Sequence, residues 1–502
     1  MRELFLFVRP PRALWPFNGP SSAFWPPLAF ASLAAALRGA ISDIDVGILD
    51  CPALHMGWKS LGAQLDRRRP RYVGIGEEAV SAAEGLRLAA MAHSLGATVI
   101  AGGCTFGNLA REVLSTGLVG VVVQGEGEAT IVELVRALRE KNPLDALATV
   151  NGISFVRGGE AVSTARRALI EDLDDLPMPA YDLLPVERYG QGSLNHPDLA
   201  TIEHSRGCTG SCGFCVLWRQ MGREGAGGVR PCYRTKSPER VMDEIRILTG
   251  RYGRRYLCWV DPCFNADAGF LDSLAARMLE AGIRIGQNAW VRGDYLQRDE
   301  QSGLLKRLVQ SGLNEIFVGI ERVDSDGLVR LERGCDSKVD LAALREITER
   351  HPSLYVVGSF IYGLPGDSWR TIKAMRDATI DSNIDMAFYI PLTGLPGTPF
   401  WDAASWEGSG ENLKGMNFLT APGPDSAHIR ELTRLLAISA FVDLRPRRIA
   451  YTWRTLTARD PRKRRMNWRL VWRGLSFALR QAASGLAAGG TNVMKVPEWY
   501  EK

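Results

Sequence analysis

Short, continuously apolar runs alternate with helix-like segments along most of this 502-residue chain. Runs that are apolar at every position are typical of strands in a parallel sheet covered by helices on both sides. Such an alternation predicts a doubly wound α/β sheet, which binds ligands at the carboxyl ends of its strands. The candidate strands of the amino-terminal part are DVGILD (45–50), YVGIG (72–76), TVIAGG (98–103) and GVVVQGEGE (120–128).

A second βα series begins at LATIEHS (199–205), after the acidic and proline-rich segment EDLDDLPMPAYDLLP (171–185), which predicts an extended linker. Five or six βα units in series predict a full or partial (β/α) barrel. Its later candidate strands are YLCWVD (256–261), IGQNAW (285–290), EIFVGIE (315–321), YVVGSFIYG (355–363) and MAFYIPL (386–392).

Four parts follow from this pattern. They are a Rossmann-like domain at 1–145, a linker at 146–197, a partial (β/α)6 barrel at 198–400, and a helical, basic region at 401–502. In the last part, a helical period predicts one helix at 425–443, and a basic tract runs from Arg445 to Arg480.

Nine cysteines are too few for a disulfide scaffold in a chain of this length. Their clustering favours metal or redox chemistry in a reducing compartment. No secretory signal is apparent, and the apolar segment WPPLAFASLAAALRGA is too short to span a bilayer. We therefore expect a cytoplasmic protein. The net charge of +5 is too small to indicate a class of partner.

Cys208, Cys212 and Cys215 lie within CTGSCGFC, directly after a candidate strand. A zinc site usually takes four ligands in two separated pairs, and a fourth candidate, Cys232, lies beyond a glycine-rich stretch. Three thiolates can instead hold three irons of a four-iron cluster and leave one iron open. A zinc site and three buried structural thiols remain as alternatives.

With Phe214 before its last cysteine, this loop resembles the signature of the radical S-adenosylmethionine (SAM) superfamily. The resemblance extends through FVGIERVDSDGLVRLERGCD, FIYGLPGDSWRT and PLTGLPGTPFW, in the family's order and spacing. It implies that the three cysteines ligate a [4Fe–4S] cluster and that Phe214 lies in the cofactor site. It also implies that SAM binds the open iron and is cleaved to a 5′-deoxyadenosyl radical.

The same resemblance assigns further cofactor contacts. Glu321 falls where the family places a polar contact to SAM, and Arg333 where a basic side chain meets its carboxylate. Gly363 serves turn geometry first and adenine contact second. Asp261, at a strand end, is a candidate for polar contact with SAM or substrate. The alternatives are ion pairs at the barrel rim and solvated surface charges.

The amino-terminal part resembles the cobalamin-binding domain that precedes many radical SAM enzymes, above all in its G-E-G-E-x-T segment. The resemblance implies a corrinoid at the loops after the strands, near Gly76, Gly102, Gly103, Gly125, Glu126 and Gly127.

Two features depart from cobalamin-binding patterns. The D-x-H-x-x-G motif is absent, since Asp50 and His55 have the wrong spacing, and Cys104 replaces a histidine often found after the two glycines. A degenerate domain that binds no corrinoid therefore stays open.

The resemblance favours cobalamin-dependent methylation of an unactivated carbon. One alternative is oxidative cyclisation or rearrangement of a hydrophobic substrate without methyl transfer, as in the anaerobic cyclase of bacteriochlorophyll precursors. Another is a non-catalytic corrinoid- or cluster-binding protein. The expected partners are a small-molecule substrate, with hydrophobic character as one option, and an electron donor of the flavodoxin or ferredoxin type. No nucleic acid is expected.

The remaining cysteines Cys258, Cys263 and Cys335 are candidates for hydrogen donors or second-cluster ligands, although buried structural thiols are favoured. The basic tail carries an apolar stripe with flanking arginines, which suits either a membrane surface or, as the favoured interpretation, a helix packed on the barrel mouth. The stripe comprises Trp468, Val471, Trp472, Leu475 and Leu479.

Overall fold

A computed structural model describes residues 2–12, 25–76, 81–191, 196–333, 339–401, 445–472 and 499–502, and single helical residues at 428, 431–432 and 435–436. Two main sheets organise the described chain, one of seven strands and one of six. None of the described helices is both long and apolar enough to cross a bilayer.

The first sheet has the order β2-β1-β3-β4-β5-β6-β7. Its first five strands are parallel, and β6 and β7 are antiparallel. The strands are β1 (Glu3–Arg9), β2 (Ile44–Asp50), β3 (Tyr72–Ile75), β4 (Thr98–Ala101), β5 (Val121–Val123), β6 (Ile153–Arg157) and β7 (Glu160–Ser163). The helices around this sheet are α1 (Leu28–Ala40), α2 (Cys51–Leu54), α3 (Trp58–Arg68), α4 (Ala82–Ser94), α5 (Gly103–Asn108), α6 (Ala110–Ser115), α7 (Glu128–Leu138) and α8 (Pro143–Leu147).

Part of the predicted linker at 146–197 belongs to this first sheet, which corrects the prediction. Strands β6 and β7 form a hairpin around Gly158 and Gly159, both at positive φ, and pair onto β5. Between 164 and 191 the helical structure of the described chain is limited to 3-10 turns, yet Leu173 and Tyr181 are buried. The segment is therefore extended but packed, because its apolar side chains contribute to the core.

The second sheet is parallel throughout, with the order β17-β16-β15-β14-β13-β8. Six parallel strands with intervening helices form the predicted partial (β/α)6 barrel. The strands are β8 (Leu199–Ile202), β13 (Tyr256–Trp259), β14 (Gly286–Arg292), β15 (Leu313–Glu321), β16 (Tyr355–Tyr362) and β17 (Met386–Pro391). Its helices are α10 (Pro238–Arg246), α11 (Ala268–Glu280), α12 (Gly293–Gln301), α13 (Leu304–Ser311), α14 (Ser325–Arg330), α15 (Leu341–Arg350) and α16 (Trp369–Asp381).

Between β8 and β13 the chain makes two small antiparallel pairs and one short helix. Strand β9 pairs with β12, and β10 pairs with β11. These elements are β9 (Ser205–Gly207), α9 (Leu217–Gln220), β10 (Arg223–Gly225), β11 (Gly228–Arg230) and β12 (Tyr233–Thr235).

Two helices of the basic tail cover the amino-terminal ends of the barrel strands. They are α17 (Pro446–Leu456) and a helix at 461–472, called here the C-terminal basic helix. From the latter, Asn467 accepts a hydrogen bond from Tyr355 at the start of β16, and Met466 packs on Tyr355 and Val357. The helix therefore lies at the base of the barrel and not at its mouth, which corrects the favoured interpretation. The predicted helix at 425–443 lies largely outside the described residues.

Candidate functional site

The loop with the three cysteines starts at a fixed point at the carboxyl end of the barrel. It follows β9, where Gly207 has a φ of +92°. A Cβ atom at Gly207 would collide with the backbone carbonyl of Cys232, which lies on the adjacent segment of the same chain. The amide of Cys208 donates to that same carbonyl at 3.1 Å. Only glycine suits this position, because the position combines a left-handed backbone with the close approach of two backbone segments.

A second anchor joins the loop to the segment after α14. The amide of Gly213 donates to the carbonyl of Glu332 at 2.9 Å, and a Cβ on Gly213 would lie 2.7 Å from the Glu332 carboxylate. Phe214 packs beside Leu331 and Leu364. The backbone between the cysteines is therefore held against a second element of the barrel mouth.

Cys208, Cys212 and Cys215 form no disulfide among the described residues and are half-buried. The amide of Gly210 donates to Sγ of Cys208 at 3.4 Å, a contact suited to a cluster thiolate. A hydrogen bond with the thiol of Cys263 lowers the pKa of Cys208, whereas burial raises the pKa of Cys215. Three thiols on one short loop, with an amide aimed at sulfur, fit a [4Fe–4S] cluster. Among the described residues, no three His, Cys, Asp or Glu side chains converge on the position of a single metal ion.

Glu321 ends β15 in a strained conformation next to this loop. Its φ is +62°, and the pairing of β15 with β16 shifts register between Gly319 and Glu321. Burial raises the pKa of its carboxyl to about 7, opposed by the charge of Arg333. Arg333 Nη2 donates to the Gly319 carbonyl at 3.0 Å, and the charge of Glu321 acts on Cys215. A strained, buried carboxyl group beside the loop is typical of a functional site.

Asp261 lies just after the end of β13 and binds the backbone at the start of β9. Its Oδ1 accepts from the amides of His204 and Ser205 at 3.0 and 2.6 Å and from the Ser205 hydroxyl at 2.6 Å. The Asp261 side chain is fully enclosed. Asp261 therefore joins the end of β13 to the chain that enters β9, and in this arrangement its carboxylate does not face the mouth. Oδ2 of Asp261 is buried without a hydrogen-bond partner among the described residues, and the predicted contact with SAM or substrate stays a prediction.

The remaining cysteines differ in burial and in what they contact. Cys258 and Cys263 are both buried, and Cys263 contacts Cys208. Cys232 contributes its backbone carbonyl to the start of the cluster loop. Cys335 lies outside the described residues.

The turn after β16 is organised by a carboxylate that the sequence analysis did not single out. Gly363, at a φ of +101°, and Leu364 both donate their amides to Asp367 Oδ2, at 2.8 and 3.0 Å. Arg322 forms a buried, two-point ion pair with Asp367 at 2.8 and 2.9 Å. The acidic position in FIYGLPGDSWRT was the available signal. Gly363 thus serves turn geometry, as predicted for its first role.

The glycines of the first sheet gather at its carboxyl edge. A Cβ on Gly103 would lie 3.9 Å from the Cα of Gly76, so the loops after β3 and β4 meet there, and Gly102 donates its amide to Ile75. Gly125 has a φ of +78° and open space on its Cβ side. In contrast, Gly127 packs under Leu33. This edge, with small residues and one open glycine, fits a flat ligand that approaches the backbone.

Glu126 connects this edge to the barrel. Its carboxylate oxygens pair with Arg206 Nη1 at 3.1 Å and with Arg234 Nη1 at 3.0 Å, all three side chains being buried. Arg206 also pairs with Glu128 at 2.6 Å. Both carboxylate oxygens of Glu126 are thus paired with arginines of β9 and β12, and the predicted place of this loop residue near a corrinoid stays a prediction.

The carboxyl edges of the two sheets consequently face each other. Arg206 lies two residues before Cys208, so the Glu126 ion pair ends beside the cluster loop. Cys104, in the loop after β4, contacts Gln220 at the end of α9, just after the cluster loop. His55 is not part of this edge arrangement, since its ring stacks on Trp499 with centroids 6.0 Å apart.

Inside the barrel an aromatic wall crosses three strands. Trp290 of β14 stacks on Phe317 of β15 with centroids 4.4 Å apart, and Phe317 stacks on Phe388 of β17 at 6.2 Å. Trp290 keeps 40% of its surface exposed. A wall of stacked rings below the mouth suits an apolar or planar molecule.

Comparison with known families assigns the barrel. The model of the Radical SAM superfamily matches residues 202–378, which include the cysteine loop, Glu321 and the turn at Gly363. The chain contains a radical SAM domain. Residues 202–378 run from the last residue of β8 into α16, so the matched radical SAM domain lies within the partial barrel.

Relatives match over more than this domain. A methyltransferase of Pyrococcus horikoshii, itself uncharacterized, is 27% identical over 76% of this chain and 78% of its own length. The anaerobic magnesium-protoporphyrin IX monomethyl ester cyclase of Cereibacter sphaeroides is 27% identical over 79% of this chain and 63% of its own length. Both matches therefore extend beyond the radical SAM domain.

The radical SAM methyltransferase TsrM from Kitasatospora setae, solved with cobalamin and a [4Fe–4S] cluster bound, has a similar fold. The TM-score is 0.61 with 18% identity, over 80% of this chain and 74% of the other. This likeness is one of fold, and it includes both a first sheet and a barrel.

Proposed function

We propose that this radical SAM protein is a cobalamin-dependent enzyme that methylates an unactivated carbon of a small molecule. The observation that carries the proposal is the arrangement of the two sheets. The glycine edge of the first sheet and the cluster loop of the second face each other, joined by the Glu126–Arg206 pair. A corrinoid at the first edge would thus lie across from SAM at the second.

Each part of the site has a role in this proposal. Cys208, Cys212 and Cys215 hold the cluster, and Glu321 and Arg333 orient the amino acid end of SAM. Arg333 suits a carboxylate because its guanidinium group presents several donors in a fixed plane. When bound, the cluster and SAM supply a 5′-deoxyadenosyl radical, and cobalamin supplies the methyl group. The protein's own contribution is to position these groups and to exclude water from them.

The aromatic wall favours a hydrophobic substrate. Trp290, Phe317 and Phe388 offer ring faces, and no charged group of the wall itself would need a partner. A flat or apolar carbon skeleton could lie on this wall below the mouth, within reach of a radical generated there. The substrate class is therefore proposed to be hydrophobic, with planar molecules as the better fit.

Oxidative cyclisation without methyl transfer is the second candidate. The relative from Cereibacter sphaeroides is named as a cyclase, and it matches 79% of this chain. The P. horikoshii relative is named as a methyltransferase and matches 76%. Similar identities leave both outcomes as candidates, and methylation is preferred because the TsrM structure joins the same two-part fold to methyl transfer. A non-catalytic role is disfavoured by the complete cysteine loop.

The proposal includes three partners and a location. They are the small-molecule substrate, an external electron donor of the flavodoxin or ferredoxin type, and a membrane surface in peripheral contact. A cytoplasmic location is proposed because none of the eight described cysteines forms a disulfide with another, as expected in a reducing compartment.

One anaerobic experiment tests the reaction type. The full chain is reconstituted with iron, sulfide, cobalamin, SAM and a reductant, and the SAM products are quantified. Methylation predicts both S-adenosylhomocysteine and 5′-deoxyadenosine, whereas oxidative chemistry predicts 5′-deoxyadenosine without S-adenosylhomocysteine. Absence of bound corrinoid after reconstitution would contradict the cobalamin proposal and leave the radical chemistry standing.

A further inference from the structure

The C-terminal basic helix packs one face against the barrel and exposes the opposite face to solvent. Lys463, Met466 and Asn467 point toward the barrel base and are at most 6% exposed. The opposite side of the helix, at the spacing of one helical face, is solvent-facing. This Trp–Arg face consists of Arg464, Arg465, Trp468, Arg469 and Trp472.

The region that carries this face is strongly basic. Residues 445–472 contain ten Lys or Arg and a single Asp, although the whole chain has a net charge of only +5. Some of these cations are neutralised within the fold, since Arg445 and Arg447 pair with Asp377 at 2.7 Å. In contrast, Arg464, Arg465 and Arg469 form no salt bridge with any carboxylate in the part of the chain that the structure describes. Their positive charge is therefore directed outward.

Exposed apolar side chains concentrate in the same place. Of the fifteen exposed large hydrophobic residues in the described chain, six lie between 449 and 472. Trp453 is 70% exposed, Trp468 54% and Trp472 71%. The indole of Trp468 donates to the Leu456 carbonyl of α17 at 3.0 Å, so the two helices form one continuous surface. A cluster of exposed indoles of this kind marks a contact surface.

Arginines and indole also line a shallow depression on this surface. It has a volume of about 320 Å³ and is bounded by Arg464, Arg465, Trp468 and Arg469. Three guanidinium groups around one recess match the geometry of a phosphate, to which arginine can donate two parallel hydrogen bonds. The adjoining tryptophans would remain beside, not within, this polar recess.

We propose that this Trp–Arg face, together with Trp453, docks the enzyme on the surface of a membrane rich in anionic phospholipids. Tryptophan prefers the headgroup level of a bilayer, and arginine is attracted by lipid phosphates and by the negative surface potential. An amphipathic helix that lies in the interface combines both contacts. The surface lies at the barrel base, so docking leaves the mouth and the cluster loop accessible.

Charge and composition distinguish this partner from two others. A second copy of the chain would bring two arginine-rich faces together in a symmetric contact, which repulsion disfavours. Nucleic acid would use the arginines but gives no role to three exposed indoles on a folded helix pair without a single-strand groove. The bilayer interface uses both residue types.

The test is co-sedimentation of the reconstituted full chain with vesicles. Vesicles of phosphatidylcholine alone are compared with vesicles that also contain phosphatidylglycerol. Binding is expected only to the anionic vesicles and is expected to weaken at high salt, because salt screens the attraction. Replacement of the arginines (R464E/R465E/R469E) should lower the partition coefficient by about 100-fold or more, from roughly 1 kcal/mol for each arginine. W468A/W472A should lower it at both salt concentrations.

The control R67E/R68E/R69E changes the same charge on exposed residues of α3 and its end. It should bind anionic vesicles like the unchanged chain, and thermal melting establishes that all variants remain folded. Equal binding to both vesicle types, or equal loss in the control, overturns the proposal. So does preferential binding of single-stranded nucleic acid or concentration-dependent self-association without vesicle binding. Displacement by inorganic phosphate, but not by chloride at equal ionic strength, would assign the recess to free phosphate and also overturn it.

Discussion

The middle cysteine of the loop tests the cluster assignment most directly at the residue scale. Cys212→Ala removes one of three proposed ligands while its backbone carbonyl can still accept from Trp218 Nε1 at 2.8 Å. We expect loss of cluster absorbance and of all SAM cleavage, since one iron would lack its protein ligand. Iron content, the visible spectrum and 5′-deoxyadenosine formation measure this.

A matched control substitution is available in helix α2, beside the first sheet. Cys51 is fully buried at the start of α2 and forms no disulfide with a described cysteine. Cys51→Ala makes the same chemical change away from the loop, so iron content and cleavage should stay near those of the unchanged chain. SAM cleavage that survives in the Cys212 variant would refute the assignment of the loop.

Glu321 gives a pH-dependent prediction. Burial raises the pKa of its carboxyl to about 7, so the group is mainly neutral at pH 6 and ionised at pH 8. An ionised carboxylate accepts hydrogen bonds from SAM better than a neutral acid does. SAM affinity, measured by equilibrium dialysis with the cluster-loaded chain, should therefore increase several-fold as the pH rises through about 7.

The conservative variant supplies the control for that profile. Glu321→Gln keeps the shape of the side chain and cannot ionise, so its SAM affinity should be lower at pH 8 and nearly flat between pH 6 and pH 8. A variant that keeps the rise would assign the pH dependence to another group, such as a cluster cysteine.

At the scale of elements, the ion pairs of Glu126 hold the loop after β5 against β9 and β12. Glu126→Gln leaves Arg206 and Arg234 partly unpaired and buried, at a cost of about 3 kcal/mol or more in unfolding free energy. This contact sets the distance between the glycine edge and the cluster loop. We therefore also expect the Glu126→Gln variant to form less S-adenosylhomocysteine per 5′-deoxyadenosine. The product ratio reports positioning, since a purely structural loss would lower both products together.

An exposed ion pair provides the comparison for this variant. Glu171 and Arg223 are both more than half exposed. Glu171→Gln should therefore leave both the unfolding free energy and the product ratio nearly unchanged, because solvent screens an exposed ion pair. An unchanged ratio in the Glu126 variant would contradict the positioning role.

The sequence predicted those elements whose pattern is local. The six barrel strands were predicted because each is a continuous apolar run. The start of α10 is equally local, since the side chain of Ser237 accepts a hydrogen bond from the amide of Arg240. Strand β1 was missed because Arg9 interrupts its apolar run, yet Arg9 is buried against Asp50. The hairpin of β6 and β7 was missed although its paired glycines are a turn signal.

In the site, too, local patterns were predicted from the sequence and contacts between distant positions were not. The cysteine loop was found from spacing within eight residues, but the partners of Glu126 lie 80 and 108 positions away. No local pattern links residues so distant, so the glutamate was expected at the ligand and is found in an ion pair. The hydrogen bonds of Asp261 were not predicted for a related reason, since its donors come from residues 56 and 57 positions earlier.

At the scale of the whole molecule, the C-terminal basic helix closes the base of the barrel through one buried ion pair. Lys463 Nζ lies 2.8 Å from Asp385 Oδ2, and both side chains are less than a tenth exposed. Asp385 also accepts from the Val356 amide at 2.9 Å. The pair therefore joins the tail to the starts of β16 and β17, at the end opposite to the cluster loop.

Lys463→Met should consequently destabilise the whole chain and not only the tail. The variant leaves the Asp385 carboxylate buried without its cation, which costs about 3–5 kcal/mol. Arg464→Met, one residue later on the exposed face, removes the same charge without a buried partner and should change unfolding free energy by less than about 0.5 kcal/mol. Denaturant unfolding monitored at the barrel tryptophans measures both. If the two variants have the same unfolding free energy, the tail is bound too weakly to contribute to the barrel core. The Lys463–Asp385 pair then does not stabilise the base of the barrel.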